Sequence, residues 1–203
     1  MKKSSRFYRF CFVVCKIFFN IFYGVKYIGT ERIPDEAVLI CANHSGYSDP
    51  FLVAMAFGDE KQVHILAKAE VFKIPVISQI LKKLGMIGVV RGTSDVKSIK
   101  TILRYLKDNE RVAMFPEGTR SRNDDEVTAK VGAIRIAERA GVPIVPVFVP
   151  RKKPLFKPLT VVIGEKYLIP KTKEKRTTQD YSTLADALME KIKNLNPTME
   201  TSA

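Results

Sequence analysis

Between residues 37 and 164, short apolar runs alternate with longer amphipathic ones, and this alternation leaves few folds open. AVLICA (37–42), VHILAK (63–68), MIGVV (86–90), RVAMF (111–115), PIVPVFV (143–149) and LTVVIG (159–164) have the length and apolarity of buried strands. Helical segments lie between and after them. PFLVAMAFG (50–58) and PVISQILKKLG (75–85) each open on Pro and close on Gly, the usual start and stop of a helix. In 94–110, Val96, Ile99, Leu103 and Leu106 recur at helical spacing behind Ser94, the expected cap. Residues 127–141 read as a helix closed by Gly141. Residues 180–195 carry Leu184, Leu188, Ile192 and Leu195 on one face. Strands joined through helices call for a single α/β domain with a central, mostly parallel, helix-covered sheet. A chain of 203 residues suffices to bury such a core.

The first 25 residues stand apart. Lys2, Lys3, Arg6 and Arg9 precede FCFVVCKIFFNIFYGV (10–25), an aromatic-rich run broken by Lys16 and Asn20. FYGVKY offers no small-residue cleavage site, which argues against a signal peptide. The run also falls short of the roughly 20 uninterrupted apolar residues of a spanning helix. The expectation is a helix lying in a membrane interface, its lysines reaching headgroups. A spanning helix and a helix of the soluble core are the alternatives. The chain thus divides into a membrane-associating segment, 1–25, and the α/β domain, 26–203.

The charge is lopsided: 34 basic against 21 acidic residues, a net +13. Such a surface attracts polyanions, whether nucleic acid, anionic headgroups or phosphorylated substrates. Nine of the basic residues fall between 151 and 176, from Arg151, Lys152 and Lys153 through to Arg176, against only Glu165 and Glu174. This segment reads as an exposed basic ribbon suited to an anionic membrane. Its basic residues do not interleave with stacking aromatics, so no nucleic-acid partner is expected. Cys11, Cys15 and Cys41 form no pairing framework and suit a reducing compartment. Two histidines and no CxxC argue against a metal site.

NHSGYSDP (43–50) follows one strand and precedes a helix, at the carboxyl end of the sheet, where open α/β folds collect ligands. His44 and Asp49 would not share a face of a straight helix, yet they can meet across a tight loop. Gly46 eases the turn, and Pro50 disfavours helical geometry at Asp49. A His–Asp pair is a general base with its orienting carboxylate. Alternatively Asp49 merely caps the helix that begins at Pro50. No GxSxG is present and Cys41 lies within a strand, so a base here would activate a hydroxyl brought by the substrate.

FPEGTRSR (115–122) is the second cluster, again just after a strand. Gly118 permits close backbone approach, Thr119 and Ser121 offer hydroxyls, and Arg120 and Arg122 offer forks that match phosphate. Glu117 is an acceptor for substrate hydroxyls. PEGT also reads as a type II turn with the arginines solvated. GMIGVVRG (85–92) delivers Arg91 at a strand end, and AKAE puts Lys68 at another, where an ammonium would bind phosphate or counter developing charge. His64 lies inside a strand and reads as structural.

Taken in order, these blocks resemble the lysophospholipid acyltransferase family, the 1-acylglycerol-3-phosphate acyltransferases. NHSGYSDP is similar to the family's H-x4-D block and FPEGTRS to its second block. GMIGVVR resembles the block between them, and VPIVPV (142–147) the apolar block after them. VKYIGTERIP (25–34) is similar to the strand and turn before the first. The resemblance runs from about residue 25 to 165. One departure is Gly46, where the family often has Ser. The resemblance implies that His44, oriented by Asp49, deprotonates the sn-2 hydroxyl of lysophosphatidic acid. The hydroxyl then attacks an acyl thioester of acyl carrier protein or coenzyme A, with no acyl-enzyme. Arg91 and Arg120 would hold the phosphate, and Glu117 and Gly118 would shape the pocket. No cofactor is implied. The setting would be the cytoplasmic face of an anionic membrane, with the enzyme peripheral. Other acceptors (glycerol 3-phosphate, another lysolipid), a hydrolase, and a non-catalytic basic module binding membrane or nucleic acid are the competing readings.

Overall fold

The computed structural model describes residues 3–90, 95–121, 129–172 and 174–197. Arg91, Arg122 and Ser94, singled out in the sequence, lie outside them. The elements run α1 (Arg6–Tyr23), β1 (Lys26–Ile28), β2 (Val38–Ala42), α2 (Asp49–Ala56), β3 (Val63–Lys68), α3 (Pro75–Lys83), β4 (Ile87–Val89), α4 (Val96–Lys107), β5 (Arg111–Met114), α5 (Gly132–Ala140), β6 (Ile144–Phe148), β7 (Thr160–Ile163) and α6 (Thr178–Asn194). The strands form one sheet of seven in the order β1-β7-β6-β2-β5-β3-β4. Every neighbouring pair is parallel except β6 with β7.

The α/β expectation holds, and β2 shows why its sequence reads as unbroken apolar. All five of its residues are buried. Val38, Ile40 and Ala42 join the cluster under α1 and α2, with Phe19, Leu52 and Val53. Leu39 and Cys41 point the other way, among Ile102 of α4, Ile134 of α5 and Leu188 of α6. A strand covered on both faces has no polar face to show.

The differences from expectation are local. Asp95, rather than Ser94, caps α4, its carboxylate accepting the Ser98 N–H at 3.0 Å. Helix α5 begins only at Gly132. Helix α2 begins at Asp49, because Ser48 is already in helical geometry (φ −79°, ψ −20°) and the loop enters as a turn. Pro50 then sits in the first helical turn, where its missing N–H costs nothing.

Helix α1 opens on Ser5, whose hydroxyl accepts the Tyr8 N–H at 3.1 Å, and closes on left-handed Gly24. One face rests on the domain through Tyr8 and Phe19, with Phe12, Cys15 and Tyr23 packed beside them. The opposite face, Phe10, Val13, Val14, Ile17, Phe18 and Ile21, is exposed. Among the described residues no helix is long and apolar enough to cross a membrane.

Candidate active site

Strand β2 sits between β6 and β5, so three loops that are far apart in sequence leave the carboxyl edge of the sheet side by side. They follow Ala42, Met114 and Phe148. Asn43 ties the first to the third: its amide donates to Val149 O at 2.7 Å and accepts from Val149 N at 2.8 Å. The next residue, His44, is thereby held at the sheet edge, 5 % exposed, with its ring stacked on Phe115 at 4.1 Å.

His44 and Asp49 do meet. Nδ1 lies 2.9 Å from Asp49 Oδ2. The same oxygen accepts the backbone N–H groups of Ser45 at 2.6 Å and Gly46 at 2.8 Å. Asp49 therefore folds back on its own loop and does not cap α2. Its other oxygen, Oδ1, lies 2.7 Å from the ammonium of Lys153, which also donates to Ser45 Oγ at 2.8 Å. Burial alone would raise the Asp49 carboxyl, but the His44 bond, the Lys153 charge and the Gly46 amide hold it below the ordinary carboxylate range. An ionised carboxylate only accepts, so Nδ1 carries the proton; in the neutral imidazole the lone pair is then on Nε2. Among the described residues nothing hydrogen-bonds Nε2. Gly46 does not supply an unusual backbone angle: a Cβ there would meet nothing closer than 3.7 Å.

The FPEG turn closes one residue earlier than PEGT suggests, with Gly118 N–H donating to Phe115 O at 3.0 Å. Gly118 is left-handed, φ +69°, and Lys130 packs so close that a Cβ would lie 2.6 Å from its Cε. Close backbone approach is real here, but the neighbour is a side chain of the protein. Glu117 also departs from expectation. It is buried; Oε1 accepts the His44 backbone N–H at 3.0 Å and Arg151 Nη2 at 2.8 Å, and Oε2 faces Arg151 Nη1 at 3.4 Å. Instead of meeting substrate hydroxyls, this carboxylate bolts the two sequence blocks together. Arg151 completes the bolt by donating to Ser121 O at 2.7 Å and His44 O at 3.3 Å.

Thr119 and Arg120 are exposed on the rim. The Arg120 guanidinium stacks on the ring of Tyr47, 3.6 Å away and itself 78 % exposed, so the arginine hangs over the His44 loop. No carboxylate among the described residues pairs with it. Lys68 ends β3, one strand beyond β5, half-exposed and 3.4 Å from Glu70; it does not contact the His–Asp pair. His64 is buried in β3, Nδ1 2.8 Å from Gly85 O and ring stacked on Tyr105, a structural role as its strand position implied.

Arg151 and Lys153 were counted in the basic ribbon, and there the structure corrects the sequence. Both side chains are nearly buried, at 7 % and 10 % exposure, and both face carboxylates of the site. Composition assigned them to solvent. The signal that would have found them is positional: they follow the end of an apolar strand, as His44 and Glu117 do. What results is an oriented imidazole with a guanidinium at its rim, a pairing able to deprotonate the hydroxyl of a phosphorylated acceptor.

The Acyltransferase family model matches residues 24–150, from the start of β1 past the end of β6. The chain belongs to the acyltransferase family. It is 32 % identical over 194 residues to the 1-acyl-sn-glycerol-3-phosphate acyltransferase of Bacillus subtilis (strain 168), covering 93 % of this chain and 96 % of that one. The enzyme of the same name from Borreliella burgdorferi is 34 % identical over 133 residues, 61 % of this chain and 51 % of that one. The crystal structure of PlsC, the 1-acyl-sn-glycerophosphate acyltransferase from Thermotoga maritima, superposes with a TM-score of 0.69 at 23 % identity, covering 94 % of this chain and 80 % of that one. It shares the acyltransferase fold. The match to the family model stops at residue 150, one short of Arg151.

Proposed function

We propose that this acyltransferase moves an acyl group from a thioester to the sn-2 hydroxyl of 1-acylglycerol-3-phosphate, giving phosphatidic acid for phospholipid synthesis. The observation that carries it is the 2.9 Å His44–Asp49 pair on the loop whose Tyr47 stacks with Arg120. The names of the relatives in Bacillus subtilis and Borreliella burgdorferi support the acceptor. Nε2 takes the hydroxyl proton as the oxygen attacks the thioester carbonyl. The tetrahedral adduct expels the thiolate, which takes the proton back from the imidazolium. Asp49 stabilises the imidazolium between those two transfers. Base catalysis of this kind contributes roughly 10²–10⁴-fold. A thioester is already activated, so positioning supplies much of the rest.

Arg120 is assigned to the acceptor phosphate, with Lys68 at the end of β3 and, by its sequence block alone, Arg91. Acyl carrier protein and coenzyme A are both acidic and both suit the basic surface as donors. The exposed apolar face of α1 and the exposed Leu155 and Phe156 between β6 and β7 support peripheral attachment to an anionic leaflet, at the cytoplasmic face where acyl thioesters are made. Glycerol 3-phosphate is the alternative acceptor, since a guanidinium matches a phosphate whether or not the glycerol is acylated.

The test is thiol release from an acyl thioester, with and without lysophosphatidic acid in vesicles, with lipid products separated. Acceptor-dependent release with phosphatidic acid formed is expected, and His44→Ala should lower it at least 100-fold (~10² from base loss). Free fatty acid in place of phosphatidic acid would make the protein a thioesterase.

A further inference from the structure

The site holds a charge that neither family motif contains. Lys153 comes from the loop between β6 and β7, 104 positions after Asp49, beyond the residues matched by the family model. Its ammonium is nearly buried, 2.7 Å from Asp49 Oδ1 and 2.8 Å from Ser45 Oγ. Among the described residues no other group serves Oδ1. A lysine placed so deep does not stay by default: it loses hydration and side-chain freedom, and only a buried countercharge offsets that.

Charge accounting around His44 shows what the ammonium does. The β2–α2 loop contributes Asp49. The β5–α5 loop contributes Glu117, whose Oε1 accepts the His44 backbone N–H. The β6–β7 loop contributes Arg151, paired with Glu117 at 2.8 Å, and Lys153, paired with Asp49. Arg120 sits at the rim on Tyr47. Each buried carboxylate therefore has its own buried cation. Without Lys153, a dry and uncompensated carboxylate would lie against the imidazole, and the imidazole would take a proton at higher pH. A protonated His44 is not a base.

We infer that Lys153 is a positioning residue of the acyltransferase reaction: it holds the outer oxygen of Asp49 and offsets its charge, so that His44 meets the acceptor hydroxyl unprotonated. The inference rests on the reading of His44 as the general base. It also explains why an enzyme of this chemistry keeps a cation next to the carboxylate that steadies its imidazolium. Lys153 favours the neutral imidazole between turnovers, at some loss of stabilisation of the imidazolium during them.

Lys153→Met keeps the stem and removes the charge; Lys153→Gln keeps a donor for Asp49 and removes the charge; Lys153→Arg keeps both. Two readouts are needed. The first is the pH titration of the His44 imidazole by ¹⁵N NMR, simple because the chain has two histidines and His64→Gln assigns the other. The second is the pH profile of kcat/KM with acyl thioester and lysophosphatidic acid in vesicles. In both neutral variants the imidazole titration and the acid limb of the profile should move up together by roughly half a unit to one unit. On the acid side of the wild-type limb, activity should fall about three- to tenfold and recover at higher pH, and the arginine variant should behave nearly as wild type. An imidazole titration that stays put, with activity lost equally at every pH, would overturn the inference and leave Lys153 a packing residue. The two readouts also separate the claims. A wild type that turns over no glycerophosphate acceptor refutes the substrate assignment, while the titration still decides the role of Lys153.

Discussion

Asp49 and Glu117 are both buried carboxylates bonded to His44, yet one meets its side chain and the other its backbone. Asp49 takes Nδ1 and so sets the tautomer. Glu117 takes the main-chain N–H and spends its remaining capacity on Arg151. The difference predicts different losses. Removing Arg151 strands a buried charge, so Arg151→Met should destabilise the protein by about 3–5 kcal/mol. Glu117→Gln alone should cost a similar amount, because the guanidinium is then the stranded partner. The double variant should be less destabilised than the sum of the singles, since neither charge is left without its mate. Urea unfolding of the three variants measures this. Additive losses would mean that Arg151 and Glu117 act separately, against the 2.8 Å contact.

At the scale of elements, the central strands were legible because β2 and β6 are buried throughout and so carry apolar runs; β3 spans the residues of VHILAK, Val63–Lys68. Helix ends were less legible, because they depend on which side chain reaches the free N–H groups. At α4 the residue after Ser94 does so. The His–Asp pair could be read from the sequence since both members lie on one loop. Arg151 and Lys153 could not, because their partners are set by strand order: β6 lies beside β2 although 102 positions separate Ile144 from Ala42. Helix α1 illustrates the limit from another side. Its sequence is apolar nearly all round, and only packing tells which residues face the domain. Phe19 is buried and Phe18 is half-exposed, with their rings 5.5 Å apart. Phe19→Ala should therefore cost about 3–4 kcal/mol of stability. Phe18→Ser with Ile21→Ser should leave the melting temperature nearly unchanged while reducing retention on vesicles. Thermal unfolding beside vesicle flotation distinguishes the two faces; loss of stability in the Phe18/Ile21 variant would put that face inside the fold.

For the whole molecule, a net charge of +13 exaggerates what a membrane would feel. Much of the basic ribbon is spoken for. Arg151 and Lys153 are turned inward, Lys166 pairs with Glu36 at 2.5 Å, and Arg176 pairs with Glu138 at 2.7 Å. Lys152 and Lys157 remain exposed, on either side of the protruding Leu155 and Phe156. Phe156 is kept outward in a left-handed conformation, φ +60°, by its N–H bond to Phe22 O at 2.7 Å, so this apolar tip is tied to the end of α1. Attraction to an anionic leaflet is worth about 1 kcal/mol per lysine near the surface. Replacing both Lys152 and Lys157 by Gln should then weaken binding to anionic vesicles by about 2 kcal/mol, or roughly 30-fold, at low salt. Lys166→Gln with Arg176→Gln removes the same formal charge but should weaken binding far less, because each of those cations already has a carboxylate beside it. Binding isotherms on vesicles with and without anionic lipid measure both pairs. Equal losses from the two double variants would mean that the membrane responds to net charge alone. A loss confined to Lys152 and Lys157 would locate the contact on the loop that also carries Lys153, whose apolar tip, Leu155 and Phe156, follows the Asp49 ion pair by two and three positions.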